Sequence, residues 1–325
     1  MNTTISANRR GRLVGRVVAL ATAASASVTV LAAAPASAVA PLTCGTVVTQ
    51  SVQLSADITG CPGNGLVIGA ANVTIDLNGH TLGGSGNGTA AAIGTGKGVS
   101  NPGGYDGLAI TNGKVQDFFI GARLTDTVGT KVSKVTFLRV VRGVDVIDSK
   151  GTSVEDSIMT GLADAPGGMG VLVGGTSEGT VVGHNTFRGF RFNGIYVGDQ
   201  ATKTTVSKNT LSTSGNGIYV DGRGTTVEAN LSHHNTGWGI AFSSPHCYDS
   251  GACYSGGSGV VRDNLASSNG LDGIAIGNAS ATVTGNQADY NADHGIEGWP
   301  GMVDGGGNHA TGNTTTPQCT YVACA

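Results

Sequence analysis

The chain has 325 residues and a formal net charge of −3, with 12% charged, 39% apolar and only 5% aromatic residues. The small net charge and the apolar content exclude a disordered chain, and the slight acidic excess argues against nucleic acid as a partner. The 55 Gly residues indicate a turn-rich fold with a narrow core.

The first 38 residues have the organisation of a secretion signal. Four arginines precede an apolar run over 17–34, and Ala36-Ser37-Ala38 supplies a small-residue cleavage site. We expect general secretion with cleavage after Ala38, and the Arg9-Arg10 pair leaves a twin-arginine route as the alternative. Removing four arginines from the 18 Lys and Arg leaves 14 basic against 21 acidic residues. We therefore predict an acidic, secreted, extracellular protein without membrane attachment.

From residue 121 onward the sequence repeats with a period near 22. Gly121, Gly143 and Gly170 begin a series of glycines, each followed by an apolar residue. Five later glycines are each preceded, eight or nine residues earlier, by an Asn, and the steps between them are 23, 22, 34 and 22 residues. The pairs are Asn185 with Gly194, Asn209 with Gly217, Asn230 with Gly239, Asn264 with Gly273, and Asn286 with Gly295. A unit this short cannot bury a core alone, so the repeats must stack.

Each repeat contains two short strands that alternating apolar residues predict. One follows the Gly, as in Ile195-Tyr196-Val197, and the other precedes the Asn, as in Thr204-Thr205-Val206. Short strands of one period, joined by short turns, predict an all-β solenoid whose coils lie about 4.8 Å apart and whose equivalent residues form columns. One buried column, with amides bonded from coil to coil, is expected to contain Asn209, Asn230, Asn264 and Asn286.

These repeats, together with the opening stretch NVTIDLNGHTL at 72–82, resemble the right-handed parallel β-helix of the pectate-lyase-like superfamily, in its secreted bacterial branch. The resemblance implies a right-handed parallel β-helix over 66–313, with about ten coils of ~22 residues. Residues 39–65 and 314–325 are then expected to form an N-terminal and a C-terminal cap. Because this fold hosts many functions, the resemblance does not by itself name an activity.

Six cysteines form three close pairs along the sequence, and an exported chain with an even number of cysteines indicates disulfides. A stiff rod keeps its middle away from its ends, which favours local pairing. A zinc site is disfavoured because the usual ligand spacing and His partners are missing. The expected bridges are Cys44–Cys61 and Cys319–Cys324 in the caps, and Cys247–Cys253 in an insertion.

The resemblance places active sites on the sheet that the strands after Gly form, and on the loops beside it. The outward position two residues after each Gly reads Arg123, Asp145, Leu172, Tyr196, Tyr219, Ala241, Ala275 and Glu297. Tyr196, Tyr219 and Asp221 are therefore predicted to form one patch, beside the insertion at 244–258. Exposed Tyr and Trp suit the apolar faces of sugars, and packing between coils is the alternative for the two Tyr.

A second cluster comes from the loops that lead into the same sheet: Arg188, Arg191, His233, His234, Asp272, Asp293 and His294. His294 shares a coil with Glu297 and Trp299, and an acid–histidine pair beside a carboxylate suits proton abstraction. Solvated turn residues are the alternative explanation of this cluster.

These patterns predict a secreted β-helix protein that binds or processes polysaccharide. If it is an enzyme, we expect elimination or C5-epimerisation of a uronate, with Tyr219 or His294 as the base or acid near Asp221. Arg123, Arg188 or Arg191 is expected to neutralise the developing charge. The expected substrate-binding residues are Tyr196, Arg191, Glu297 and Trp299. The alternative is a non-catalytic extracellular scaffold or binding protein.

No cofactor and no metal site are expected, and the chain is predicted to be a monomer whose partner is polysaccharide rather than nucleic acid or membrane. Calcium has no support, because only Asp145 and Asp221 offer carboxylates on the sheet, three coils apart.

Overall fold

The computed structural model describes residues 42–86, 94–162, 164–247 and 253–325. The predicted signal segment, residues 1–38, lies outside these ranges. Within them every regular element is a β-strand. None of the described residues belongs to a helix that could cross a membrane.

The strands that follow the repeated Gly build one parallel sheet, which we call the first sheet. It has 12 strands, each paired with its equivalent in the next coil. In order these are Thr46–Val48, Leu66–Ile68, Lys97–Asn101, Ile120–Thr125, Arg142–Ile147, Met169–Gly174, Asn193–Val197, Asn216–Val220, Ile240–Phe242, Ile274–Ile276, Ile296–Glu297 and Cys319–Thr320. Twelve strands bound 11 coils, one more than the roughly ten expected.

Two further rows of parallel strands complete each coil, and the long strands Ala109–Gln116 and Lys131–Val140 contribute to both rows. The other strands of the second row are Val52–Gln53, Thr74–Asp76, Ser153–Glu155, Val181–Gly183, Thr205–Ser207, Thr225–Glu228, Gly259–Arg262, Ala281–Thr284 and Val303–Asp304. The other strands of the third row are Ile58–Cys61, Thr81–Gly84, Ile158–Gly161, Thr186–Arg188, Thr210–Ser212, Leu231–His233, Leu265–Ser267, Gln287–Asp289 and His309–Thr311. A coil therefore runs from the first sheet through the second row and the third row, and back to the first sheet.

The insertion at 244–258 leaves the coil at the corner between the first sheet and the second row. It contains a short antiparallel hairpin of His246–Cys247 and Cys253–Tyr254. The predicted Cys247–Cys253 bridge depends on the Cys247 side chain and on 248–252, which are outside the described part of the structure. The other two predicted bridges are confirmed, with S–S distances of 2.03 Å for Cys44–Cys61 and 1.98 Å for Cys319–Cys324.

The repeated Gly is required by close packing inside the coil. A Cβ on Gly121 would overlap the ring of Phe137, and a Cβ on Gly170 would overlap the ring of Phe187. The carbonyl oxygen of the next Gly in the column closes the same space. The Gly residues therefore let the first sheet lie directly on the core side chains.

The predicted asparagine column is present, and we call it the first amide ladder: Asn185, Asn209, Asn230, Asn264, Asn286 and Asn308. In its middle, Nδ2 of Asn230 donates to Oδ1 of Asn264 at 3.0 Å and to the Val206 carbonyl at 2.9 Å. Oδ1 of Asn230 accepts from both the backbone N–H and Nδ2 of Asn209. Each internal amide is therefore fully hydrogen-bonded although it is buried.

A second amide ladder, which the sequence analysis missed, lies at the turn between the third row and the first sheet. It begins at Ser214 and ends at Gln318, with Asn235, Asn269, Asn291 and Asn313 between them. The residue before each Asn of the two ladders from Asn185 to Asn313 has a left-handed backbone, with φ of 54° at both Ala229 and His234. This conformation turns the chain sharply, so that the next side chain enters the interior.

Candidate functional site

The outward column of the first sheet is in the predicted register. Tyr196 pairs with Tyr219, Tyr219 with Ala241, and Ala275 with Glu297. Toward the N-terminus the same column continues through Leu172, Asp145 and Arg123 to Ser100. Side chains from nine successive coils therefore stand in one row on the outer face of the first sheet, in the register that the repeat predicts.

A groove crosses this row where the column contains two alanines. Ala241 and Ala275 form its floor, Tyr219 and Trp238 stand on one side, and Glu297 and Trp299 stand on the other. Its volume is about 230 Å³. From the Tyr219 strand to the Glu297 strand is three coil steps, or about 14 Å along the rod. Phe242, Ser243, Ser244, Ile276, Gly277 and Gly298 complete the lining. We call this feature the aromatic groove.

Three aromatic rings on consecutive coils lead into the aromatic groove. The ring centroids of Tyr196 and Tyr219 are 6.2 Å apart, and those of Tyr219 and Trp238 are 6.0 Å apart. The Tyr196 hydroxyl donates to Oδ2 of Asp221 at 2.7 Å, and Asp221 is buried. The predicted patch of Tyr196, Tyr219 and Asp221 therefore forms, and Asp221 orients Tyr196 within it.

Trp238, Asp272 and His294 form the column just before the repeated Gly, in which Trp238 lines the groove and Asp272 and His294 lie behind it. Nε1 of Trp238 donates to Oδ2 of Asp272 at 3.2 Å, and the backbone N–H of His294 donates to Oδ1 of Asp272 at 2.9 Å. Nδ1 of His294 is 3.4 Å from Oδ1 of Asp272 and 3.3 Å from Oδ1 of Asp293. We call Asp272, Asp293 and His294 the acid–histidine cluster.

Burial raises the pKa of two carboxyls in this region. Desolvation is the largest cause at Asp272, and the nearby charge of Asp293 adds to it. Desolvation also raises the pKa of Glu297, with a further contribution from the charge of Asp272. Glu297 faces the aromatic groove, and Trp299 beside it is 44% exposed. Glu297 is exposed, but a carboxyl that neighbouring groups partly desolvate holds its proton to higher pH than one surrounded by water alone.

Arg123 lies in a different part of the first sheet, four coils from Tyr219, or about 19 Å along the rod. Its Nη1 is 3.7 Å from Oδ2 of Asp145, and Arg142 bonds the same oxygen at 3.0 Å. Asp145 is fully buried, and desolvation raises its pKa more than the two arginines lower it. The structure therefore places Arg123 beside a buried carboxyl and away from the aromatic groove.

Arg191 is exposed at the turn before the strand Asn193–Val197, where its Nη1 donates to the Asp164 carbonyl at 3.4 Å. It lines a separate hollow with Phe190, Thr213 and Thr236. Of the predicted site residues, the structure brings Tyr219, Glu297 and Trp299 into one groove, with His294 behind it.

Trp238 is the functional residue that sequence reasoning missed. It directly precedes the repeated Gly239, and the residues at the equivalent position of the next two coils are Asp272 and His294. That column position was the signal that could have found it, because Asp272 and His294, which the sequence analysis singled out, occupy it in those coils.

The comparison with protein families decides the classification. The family described as "Right handed beta helix region" matches residues 120–288 and 169–319 in two overlapping alignments. The chain belongs to this family. The right-handed parallel β-helix expected from the repeats is thereby confirmed, together with its all-β class and its disulfide-tied ends. No curated protein matches the sequence.

Solved structures of similar fold include two proteins that are named for alginate. An alginate lyase from Paenibacillus sp. str. FPU-7 has a TM-score of 0.51 and 16% identity, over 87% of this chain and 97% of the lyase. A double mutant of the periplasmic alginate epimerase AlgG has a TM-score of 0.57 and 12% identity, over 88% of this chain and 79% of the epimerase. The Dettilon tailspike protein has a TM-score of 0.55 and 15% identity, over 87% of this chain and 60% of the tailspike. Identities this low establish a shared fold alone.

Proposed function

We propose that this protein binds a polysaccharide along the first sheet and processes it in the aromatic groove. The observation that carries the proposal is the groove itself, in which two small floor residues, Ala241 and Ala275, separate aromatic walls. Indole and phenol rings offer apolar faces to sugar rings and polar edges to their hydroxyls. A span of about 14 Å along the rod accommodates an extended saccharide rather than a single small molecule.

Two further observations support a carbohydrate. The alginate lyase and the alginate epimerase share this fold over most of their length, and their names identify proteins that act on a polysaccharide. Two disulfides and a predicted secretion signal fit an oxidising, extracytoplasmic compartment, where polysaccharides are accessible. The net negative charge after signal removal adds no support for a nucleic acid.

For the reaction, we assign proton donation to Glu297. It stands at the groove wall, and a raised pKa is what a carboxyl needs to donate a proton to a leaving oxygen. Elimination or epimerisation of a uronate would also need a positive group beside the sugar carboxylate. The described lining of the groove contains no Lys or Arg, and Arg123 is four coils away. We therefore favour hydrolysis, in which Glu297 protonates the leaving oxygen and a water molecule adds to the anomeric carbon, over the uronate chemistry expected from sequence.

The test is a screen of the secreted protein against neutral and acidic polysaccharides. Reducing ends, unsaturated uronate absorbance and epimer content are followed together, on chelator-treated protein and on protein supplied with divalent cations. Glu297→Gln is expected to lower turnover by about 10²–10⁴-fold. Glu155→Gln, a matched change in the second row, is expected to leave turnover unchanged.

Binding is measured separately from turnover. Trp299→Ala is expected to weaken glycan retention by about 3–10-fold, while Tyr290→Ala, at an exposed turn away from the groove, has no effect. Binding without turnover would reject the assignment of Glu297 and favour a non-catalytic glycan-binding protein. Neither binding nor turnover over a broad panel would reject the carbohydrate proposal and favour the scaffold alternative.

A further inference from the structure

The acid–histidine cluster has the spacing of a metal site. One oxygen from each carboxylate of Asp272 and Asp293 and a ring nitrogen of His294 all lie within 4.8 Å of one another. The two distances from Nδ1 of His294 to these carboxylates are 3.4 and 3.3 Å. Four ligand atoms placed 2.0–2.1 Å from a tetrahedral centre are separated by about 3.3–3.4 Å. The two distances from His294 thus match the edge of a zinc tetrahedron, and the two carboxylate oxygens lie within 4.8 Å of each other.

We infer that Asp272, Asp293 and His294 bind one zinc ion, with a fourth position open to water. Two carboxylates and one imidazole are a donor set that suits Zn²⁺, and three protein ligands with one open position are typical of zinc sites that carry chemistry. The sequence analysis expected no metal site and considered these three residues only for proton transfer or as solvated turn residues. The inference concerns this cluster alone and does not depend on glycan binding.

The state of His294 points to a missing ligand. Its Nδ1 is buried, yet it has no hydrogen bond of acceptable geometry with any described residue. The nitrogen faces two carboxylate oxygens at more than 3.2 Å, which is long for a charge-assisted hydrogen bond. An ion between these three atoms would satisfy all of them at once.

Asp272 is prepared for such a role. It is 3% exposed, and its second oxygen is held by the indole N–H of Trp238. A neighbouring donor that fixes the orientation of a ligand is a regular feature of zinc sites. Burial of this carboxyl beside Asp293 disfavours its charged form, and a divalent cation would offset that cost.

His309 and Asp289 supply a matched control in the same protein. Nδ1 of His309 is 3.5 Å from Oδ1 of Asp289, which is nearly the spacing found at His294. Among the described residues, no third His, Cys, Asp or Glu ligand lies close enough to this pair to complete a metal site. A simple His–Asp ion pair predicts that the two sites behave alike, whereas a zinc site predicts that only His294 matters.

The experiment is a calorimetric titration of Zn²⁺ into the full chain, purified without a polyhistidine tag and stripped with chelator. One equivalent of Zn²⁺ is expected to bind, and to raise the melting temperature. His294→Gln and Asp293→Asn are each expected to weaken binding at least about 100-fold, and Trp238→Phe about 10–100-fold. His309→Gln is expected to change nothing. Co²⁺ in place of Zn²⁺ should give the visible absorption of a four-coordinate ion, which His294→Gln abolishes.

The inference is overturned if no saturable equivalent of Zn²⁺ binds to the folded protein. It is equally overturned if His294→Gln and His309→Gln have the same effect, because the ion is then held elsewhere. Asp293→Asn separates loss of a zinc ligand from unfolding of the protein. Asp293 is 44% exposed and Asn has nearly the same shape, so this variant should remain folded. If zinc binds but no polysaccharide is turned over, the zinc site is supported and only the proposal of polysaccharide processing is rejected.

Discussion

The early and the late coils fill the same cross-section in different ways. At one inward position of the third row, the early coils place Leu82, Val115, Phe137, Met159, Phe187 and Leu211. The late coils place Ser232, Ala266, Ala288 and Ala310 at the equivalent position. The space released by the small residues is taken by the second amide ladder, whose Asn235 donates from Nδ2 to the Ser232 hydroxyl.

The difference shows that the interior of a coil can be filled either by large apolar side chains or by a ladder of hydrogen-bonded amides. Phe190 and Asn235 stand at equivalent turn positions, with Ser214 between them as the transition. Apolar packing stabilises each early coil through the volume it fills. An amide in the late coils is stabilising only while both of its neighbours remain to bond it, since an unpaired buried amide is costly. The late coils should therefore be more cooperative and less tolerant of single changes in hydrogen-bonding capacity.

The largest expected effect is at the core of the early coils. Phe187→Ala removes a fully buried ring, and we expect the free energy of unfolding to fall by about 3–5 kcal/mol. Chemical denaturation measures the change. Phe192→Ala is the control, because that ring is 53% exposed and its loss should alter stability by less than about 0.5 kcal/mol. Equal effects of the two changes would contradict apolar packing as the source of stability here.

A smaller but still clear effect is expected inside the first amide ladder. Asn230→Ala leaves the amides of Asn209 and Asn264 each without one partner, which should cost about 1–3 kcal/mol. Asn230→Asp should cost more at neutral pH, because a charge enters a buried column. Thermal melting compares both with Gln200→Ala, an exposed amide outside the ladders. If both ladder variants melt like the Gln200 variant, the ladder does not stabilise the late coils.

The end of the second amide ladder should be less sensitive than the middle of the first. Oε1 of Gln318 accepts from the backbone N–H and from Nδ2 of Asn313, at 2.8 Å each. Gln318→Ala removes the partner of one ladder amide and the hydrogen bonds from Nε2 to the carbonyls of Asn313 and Thr315. Gln318 is only partly buried, so water can replace some of these bonds, and we expect a loss of about 0.5–1.5 kcal/mol. The same melting experiment tests whether the loss of stability at Gln318 is smaller than the loss at Asn230. A loss at Gln318 larger than that at Asn230 would refute the view that interior amides depend on two neighbours.

The smallest expected effect is on pH dependence and concerns the early coils, where Asp145 is a buried carboxyl outside either amide ladder. Burial raises its folded-state pKa above the unfolded value of about 4. The folded protein therefore binds the proton of Asp145 more tightly than the unfolded chain does. The resulting contribution to the free energy of unfolding is fully present below about pH 4 and is lost as pH rises through the folded pKa. Asp145→Asn should remove that decline. Urea unfolding between pH 3 and 7 measures both proteins, and an equal or steeper decline in the variant would contradict the sign of the shift.

The sequence was sufficient for the coil and its register. Because Gly-Ile and Asn recur at one period, the columns containing Tyr196, Tyr219 and Glu297 could be aligned by counting alone. The first amide ladder followed from the same count. The second was present in the sequence as an Asn five residues after Asn230, Asn264 and Asn286, but the equivalent positions of the two preceding coils are Phe190 and Ser214, so its Asn column is shorter than the first.

The candidate site was less accessible to the sequence. A column says which coil a side chain belongs to, but not where a turn directs it. The contact of His294 with Asp272 depends on the bend before the repeated Gly, and the burial of Asp145 between two arginines depends on side-chain packing. Arg123 was expected beside the reacting groups because it shares their column, yet charge neutralisation acts over a few ångströms and four coils exceed that range.

The two ladders also constrain how a chain like this one can change in length. The step from Gly239 to Gly273 is 34 residues, yet Ile240 still pairs with Ile274, because the additional residues leave at a corner. An insertion of one residue between Asn230 and Asn235 has no such exit and would misalign one ladder with the other. Excision of 265–286 would instead join Asn264 to Gln287 and restore both ladders. Viable length variants should therefore differ by whole coils or by loops at the corners between strands, so that evolution of the coil itself proceeds in units of about 22 residues.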